Sequence, residues 1–255
     1  MINETYSLYK EINKKIANEY SRFKFGETHI MNKLAKQISS LISSKISKQK
    51  DYVLYTANKF PTKEYYKKNS LILSEKISKI CKMPLVIGEY SYTYDKNNFY
   101  ENSLERKIHL PKVKKEDKLK YKDFIFIMID DSIFTGTTLE VTLKELEGVV
   151  SKVLFFSIVN LRESKYSEEE INDVHYKKEG TKYITKLLNS KNYILTTHML
   201  RAIDRLDKTD LKVLLKNIKE ENMQTLQKSL KDYVGRELII QQPSPQISSP
   251  SKQNQ

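Results

Sequence analysis

Cysteine occurs once in the 255 residues, at Cys81, and tryptophan not at all. A lone thiol excludes an internal disulfide framework and any cysteine-rich zinc site, so a reducing compartment such as the cytoplasm is expected. The four histidines, His29, His109, His175 and His198, show no metal-ligand spacing. No apolar run reaches the roughly 18 residues of a membrane-spanning helix, and the opening MINETYSLYK lacks the apolar stretch of a signal peptide. A soluble, intracellular protein without membrane contact is the expectation. The Gly-Lys-Ser/Thr of a nucleotide-binding P-loop is also missing. Proline is scarce, and three of its six copies crowd into the last fourteen residues, which marks residues 241–255 as a disordered tail.

What is present suffices for a core. Hydrophobic residues make up 39% of the chain, with 17 Tyr and 9 Phe, which excludes global disorder. Lys and Arg number 45 against 32 Asp and Glu, a formal charge of +13 that favours anionic partners: nucleic acid, acidic lipid or a phosphorylated small molecule. Charge alone does not choose among them. The basic residues are mostly Lys spread through all segments rather than Arg gathered in a stripe, a distribution that fits a solvated surface better than a nucleic-acid face.

Apolar residues at three- and four-residue steps predict helices over 2–50, through Tyr6, Tyr9, Ile12 and Ile16 and then Met31, Leu34, Ile38, Leu41 and Ile42, with Gly26 between them. Strands are expected at 51–56 and 85–90, with a helix at 62–81 between them. The polar stretch 91–119 reads as a long loop or irregular hairpin, a length usually reserved for lids. Residues 124–129, FIFIMI, form an unbroken apolar run between Asp123 and Asp130, as suits a strand buried on both faces of a parallel sheet. A helix at 138–149 and a strand at 153–159 follow, so the alternation implies a doubly wound α/β sheet. Beyond it lie a short strand at 193–195, a helix around Leu200 and one long helix at 209–233 with Leu211, Leu215, Ile218, Leu226 and Leu230 as its stripe. That stripe suits core packing or a homodimer seam. The expected division is an N-terminal helical segment at 1–50, an α/β domain at 51–206, a C-terminal helix at 207–240 and the tail.

Chemistry concentrates where the apolar run ends: Asp130 and Asp131, then Ser132, Ile133 and Phe134, then Thr135, Gly136, Thr137 and Thr138 before a helix. Carboxylates at the carboxyl end of a parallel strand face the crevice where α/β proteins bind ligands, and can accept hydrogen bonds from paired sugar hydroxyls. Hydroxyls and backbone N–H groups at a helix N-terminus suit a phosphate. Together they describe a site for a ribose 5-phosphate. Paired acids could equally be caps, and haloacid-type phosphatases share part of the look, but these need a second Asp where Ser132 stands.

The segment IFIMIDDSIFTGTT resembles the phosphoribosyl pyrophosphate signature of type I phosphoribosyltransferases. The resemblance implies a parallel-sheet core of that kind over about residues 50 to 200, flanked by N-terminal helices and a long C-terminal helix. It also implies that Asp130 and Asp131 hold the ribose hydroxyls and that Thr135, Gly136, Thr137 and Thr138 hold the 5-phosphate. Thr56, Ala57, Asn58 and Lys59 fall where the family binds pyrophosphate, and 91–119 falls where it has a catalytic flap, with Arg106 as a catalytic cation. Mg²⁺ bridging pyrophosphate and ribose oxygens would be ordered by Asp130 and Asp131. Stretches such as YSRFKFG at 20–26 are similar to an uncharacterised branch found in bacterial stress-response and tellurite-resistance clusters. Phe134 departs from the 6-oxopurine enzymes, which carry an acid there, and the pyrophosphate loop lacks their usual glycines. The implied activity is transfer of a phosphoribosyl group to a nitrogenous acceptor. The rival reading is a non-catalytic sensor of phosphoribosyl pyrophosphate or a nucleotide that signals to nucleic acid or protein through its basic helices.

Overall fold

The computed structural model describes residues 2–58, 65–90, 111–134, 136–150, 152–162 and 164–234. Its centre is a mostly parallel sheet built from β1 (Ile2–Tyr9), β2 (Tyr52–Asn58), β3 (Leu85–Tyr90), β4 (Pro111–Lys112), β5 (Ile125–Ile129), β6 (Ser132–Ile133) and β7 (Lys152–Asn160). The strand order is β1-β7-β5-β2-β3-β4, with β6 also pairing with β7, and among the described strands only the β3–β4 pair is antiparallel. Helices α1 (Lys14–Lys24), α2 (Thr28–Lys45) and α3 (Asn69–Cys81) cover one face, α5 (Thr137–Glu145) the other, with the short α4 (Lys115–Lys120) leading into β5. The protein is therefore α/β.

Strand β5 explains the layering. Every residue in it is buried, with Ile125, Ile127 and Ile129 packing toward α1 to α3 and the alternate Phe126 and Met128 toward α5. An unbroken apolar run is what two covered faces require. A third apolar cluster is helical and joins Phe25 and Tyr66 to α7 (Thr181–Leu188), α8 (Thr197–Asp204), α9 (Lys208–Asn217) and α10 (Glu220–Val234), while α6 (Glu168–Glu179) packs on α1.

Several expectations are corrected. Residues 2–9 are not helical: they add an edge strand parallel to β7, and Tyr6 stacks on its register partner Phe156 with ring centroids 5.0 Å apart. A β-prone run beside an available parallel edge gains ladder hydrogen bonds that its helical spacing cannot match. The helix expected from 62 starts at Asn69, because Lys67 is held extended by backbone bonds to Leu195 and Thr197. The long C-terminal helix is two, since Ile218 is extended and the Asn189 side chain satisfies Asn217 O and Lys219 N at the break. Leu214 rather than Leu215 is the buried residue there. The strand expected at 193–195 reduces to single bridges at Tyr193 and Thr196. Of the polar stretch, 111–120 carries β4 and α4; residues 91–110 lie outside the described residues, as do 235–255 with the expected tail.

Candidate functional site

Chain direction reverses its progress across the sheet between β2 and β5: β2 leads through α3 to β3 on one side, and β5 leads through α5 to β7 on the other. At such a switch the connections leave in opposite directions and open a crevice beyond the carboxyl ends of the two strands. Thr56, Ala57 and Asn58 end one of these strands, and Asp130 and Asp131 follow the other.

The acids are fixed by the sheet itself. Asp130 N donates to Phe156 O at 3.1 Å, Asp131 O accepts from Ile158 N at 3.2 Å, and pairing with β7 resumes at Ser132. Asp130 Oδ1 also accepts the Asp131 N–H at 3.0 Å. Both residues are 7% exposed.

Two lysines that the sequence reading did not single out meet these carboxylates. Lys24 Nζ, from the last turn of α1, donates to Asp131 Oδ2 at 2.7 Å and is itself 8% exposed. Lys68 Nζ, just ahead of α3, stands 3.9 Å from Asp130 Oδ1 and donates to Ala57 O at 3.2 Å. Burial pushes Asp131 upward, but the charges of Lys24 and Lys68 and the Lys24 hydrogen bond overcome it and hold this carboxyl well below the ordinary range. Burial also pushes Asp130 up, the Lys68 charge opposes it, and the neighbouring Asp131 charge adds to the rise; the net shift is upward. Behind the pair, the fully buried Tyr20 hydroxyl has no hydrogen-bond partner of ordinary geometry among the described residues, and burial together with Asp131 and Glu168 raises its phenol well above the usual value.

Gly136, the N-cap of α5, lies in the left-handed region at φ +80° and has no side chain with which to cap the helix. A Cβ at Gly136 would lie 2.4 Å from Arg162 Nη2, so the glycine lets a guanidinium lie directly against the loop. Arg162 follows β7 and is a third cation the sequence reading passed over. Thr138 is half-buried in the first turn of α5, Thr137 opens that helix, and Thr135 lies outside the described residues. Phe134, immediately before them, is 47% exposed.

At the other strand end the candidates divide. The Thr56 hydroxyl donates to Ile129 O at 3.3 Å and so ties β2 to β5, Ala57 offers its carbonyl to Lys68, and Asn58 is buried. Lys59 and Arg106 lie outside the described residues. The acid pair fits poorly as a direct cage for a cation: one oxygen of Asp131 is held by Lys24, one of Asp130 by a backbone N–H, and among the described residues no three His, Cys, Asp or Glu gather as a metal set.

No protein family matches the chain, and no curated protein does. Among solved structures it is similar to a hypoxanthine phosphoribosyltransferase from Staphylococcus aureus, at 14% identity over 51% of this chain and 62% of that one, with a TM-score of 0.35. It thus spans less than two thirds of that enzyme. It is also similar to a hypothetical protein from Neisseria gonorrhoeae with bound ppGpp (14% identity, 66% of this chain, 80% of that one, TM-score 0.35). A purine phosphoribosyltransferase from Pyrococcus horikoshii is a third (15% identity, 66% and 95%, TM-score 0.32).

Proposed function

We propose that the chain binds phosphoribosyl pyrophosphate in the crevice between β2 and β5 and transfers its phosphoribosyl group to a nitrogenous acceptor. The observation that carries this reading is one juxtaposition. A buried carboxylate pair sits at the switch point, and five residues on from Asp131 a glycine forms the N-cap of a helix and has a guanidinium laid against it. Carboxylates accept from the ribose hydroxyls, while backbone N–H groups at the start of α5, the hydroxyls of Thr135, Thr137 and Thr138, and Arg162 receive the 5-phosphate.

In the transfer the bond from C1 to the pyrophosphate oxygen breaks, the bond from C1 to the acceptor nitrogen forms, and that nitrogen loses its proton. Negative charge gathers on the leaving group as the ring turns cation-like, so orientation and charge neutralisation supply the catalysis. Lys68, beside Ala57 at the pyrophosphate end, is the partly exposed cation placed for that role, with Lys59 and Arg106 as further proposed contacts. Mg²⁺ belongs to this proposal as a companion of the diphosphate oxygens, which it would neutralise, and the chain's own residues orient the ring.

Phe134 supports a second reading. An exposed aromatic stands where 6-oxopurine enzymes keep an acid to handle the acceptor's proton, which favours an acceptor that needs no such help, or a binder that performs no transfer. Release of pyrophosphate from phosphoribosyl pyrophosphate, assayed against a panel of nitrogenous bases, separates the two. Base-dependent release is expected for the transferase. Tight binding with no release from any base would leave the sensor.

A further inference from the structure

We infer that Lys24 and Lys68 occupy the charge-balancing place at the acid pair that a divalent cation would otherwise take, so that this chain binds a sugar phosphate without one. The inference rests on the sugar-phosphate reading of the crevice, but concerns how the crevice is balanced.

The lysines are built in rather than incidental. Lys24 lies between Phe23 and Phe25, both fully buried, at the end of α1. Its carbonyl accepts from Asn69 Nδ2 at 3.0 Å and from Thr196 Oγ1 at 2.7 Å, so α3 and the cap of α8 both pin the residue that carries the ammonium. The ammonium then reaches 2.7 Å from Asp131 Oδ2 and 5.7 Å from the centre of the Tyr20 ring. A strongly hydrated group is buried this deeply only with a fixed partner. Lys68 is the complement: its side chain is 21% exposed, and it spans Asp130 Oδ1 and the last turn-off of β2.

The two carboxylates of the pair therefore each face an ammonium group before any ligand arrives. Mg²⁺ demands a near-octahedral set of oxygens and gives up water reluctantly. Here Asp131 Oδ2 and Asp130 Oδ1 are already engaged, and any cation on the remaining oxygen of Asp131 would sit a few ångströms from the buried Lys24 ammonium. The oxygens that neither Lys24 nor the Asp131 N–H holds are the ones left to accept from vicinal hydroxyls, which bring no charge. Neutralisation by the chain and recognition of the sugar thus use different oxygens of one pair.

Ribose 5-phosphate, which carries no diphosphate to recruit a metal, is the probe. Its affinity for the full chain, measured by titration calorimetry in EDTA and in Mg²⁺, is expected to agree within about threefold; a loss of about tenfold or more in EDTA would overturn the inference. Lys68→Met, a partly exposed change compatible with folding, and Lys24→Met where it folds, should weaken binding in EDTA by about tenfold and regain it in Mg²⁺. Equal losses in both media would overturn it as well. Mn²⁺ titration followed by water-proton relaxation decides the matter even if ribose 5-phosphate binds under no condition, the outcome that would remove the functional reading alone. The wild type should hold no Mn²⁺ at the acid pair, while Lys68→Met gains a site. A stoichiometric wild-type site abolished by Asp130→Asn contradicts the inference; one that survives Asp130→Asn lies elsewhere and agrees with it.

Discussion

Asp131 and Lys24 are each other's solvent. With both side chains about nine-tenths buried, removing either partner strands the other, and the usual cost of breaking such a pair is about 3–5 kcal/mol. Asp131→Asn should therefore lower stability by that order in urea unfolding, whereas the exposed Arg162→Ala should leave it within about 0.5 kcal/mol while weakening ribose 5-phosphate. Asp130 gives a pH signature of the opposite sense. Burial and its neighbour's charge raise its folded value above the unfolded one of about 3.9, so the folded chain binds the extra proton and stability falls as pH rises through the window above that value. Asp131, held low, contributes stability that is present above the unfolded value and lost as pH falls through its folded one. Burial holds His198 and His175 below their ordinary value, which works in the opposite sense over the same range, so the signature is a difference: in urea unfolding the stability of the wild type relative to Asp130→Asn should fall as pH rises from mildly acidic to neutral. An unchanged difference would mean that Asp130 is not the titrating group.

At the scale of elements, α5 and α1 carry the site in different ways. Gly136 is the N-cap and contributes no side chain, so replacing Thr137 and Thr138 by Ala leaves the N-cap residue unchanged. Melting should change little, while affinity for ribose 5-phosphate should drop by about tenfold or more and that for free ribose should not, as expected when charge-assisted bonds worth about 1.5–3 kcal/mol are lost. Gly136→Ala is harsher: the left-handed backbone costs about 1–2 kcal/mol for a side-chain residue, and the new Cβ displaces the Arg162 guanidinium. Helix α1 is held at its end by Asn69, whose amide donates to Phe23 O and Lys24 O, both at 3.0 Å. Asn69→Ala should cost about 1–3 kcal/mol through those unsatisfied carbonyls and also weaken the sugar phosphate, since Lys24 loses a pin. Calorimetry and melting on the same samples separate the two effects.

Across the whole molecule, what was legible in the sequence is what local pattern encodes. The FIFIMI run could only be a strand covered on both faces, and the acids that end it fall at the switch point because that strand is central. Pattern fails where pairing is distant. Lys24 and Asp131 are 107 positions apart, and the one local sign was a lysine wedged between two phenylalanines just before a glycine. Arg162 gave no sign beyond its place two residues after a strand. Residues 2–9 satisfy a helical spacing and a strand equally well, and only the open edge of β7 decides. The break at Ile218 likewise depends on Asn189, far away in the chain.

The ligand class of the crevice between β2 and β5 is most directly tested by titration calorimetry of the intact wild-type chain with ribose 5-phosphate, phosphoribosyl pyrophosphate and free ribose. Both phosphorylated sugars are expected to bind, with affinities exceeding that of ribose by about tenfold or more, and Arg162→Ala should erase most of that margin. Equal affinities for phosphorylated and free sugar, or no heat from either phosphorylated ligand, would contradict a sugar-phosphate site at Asp130 and Asp131.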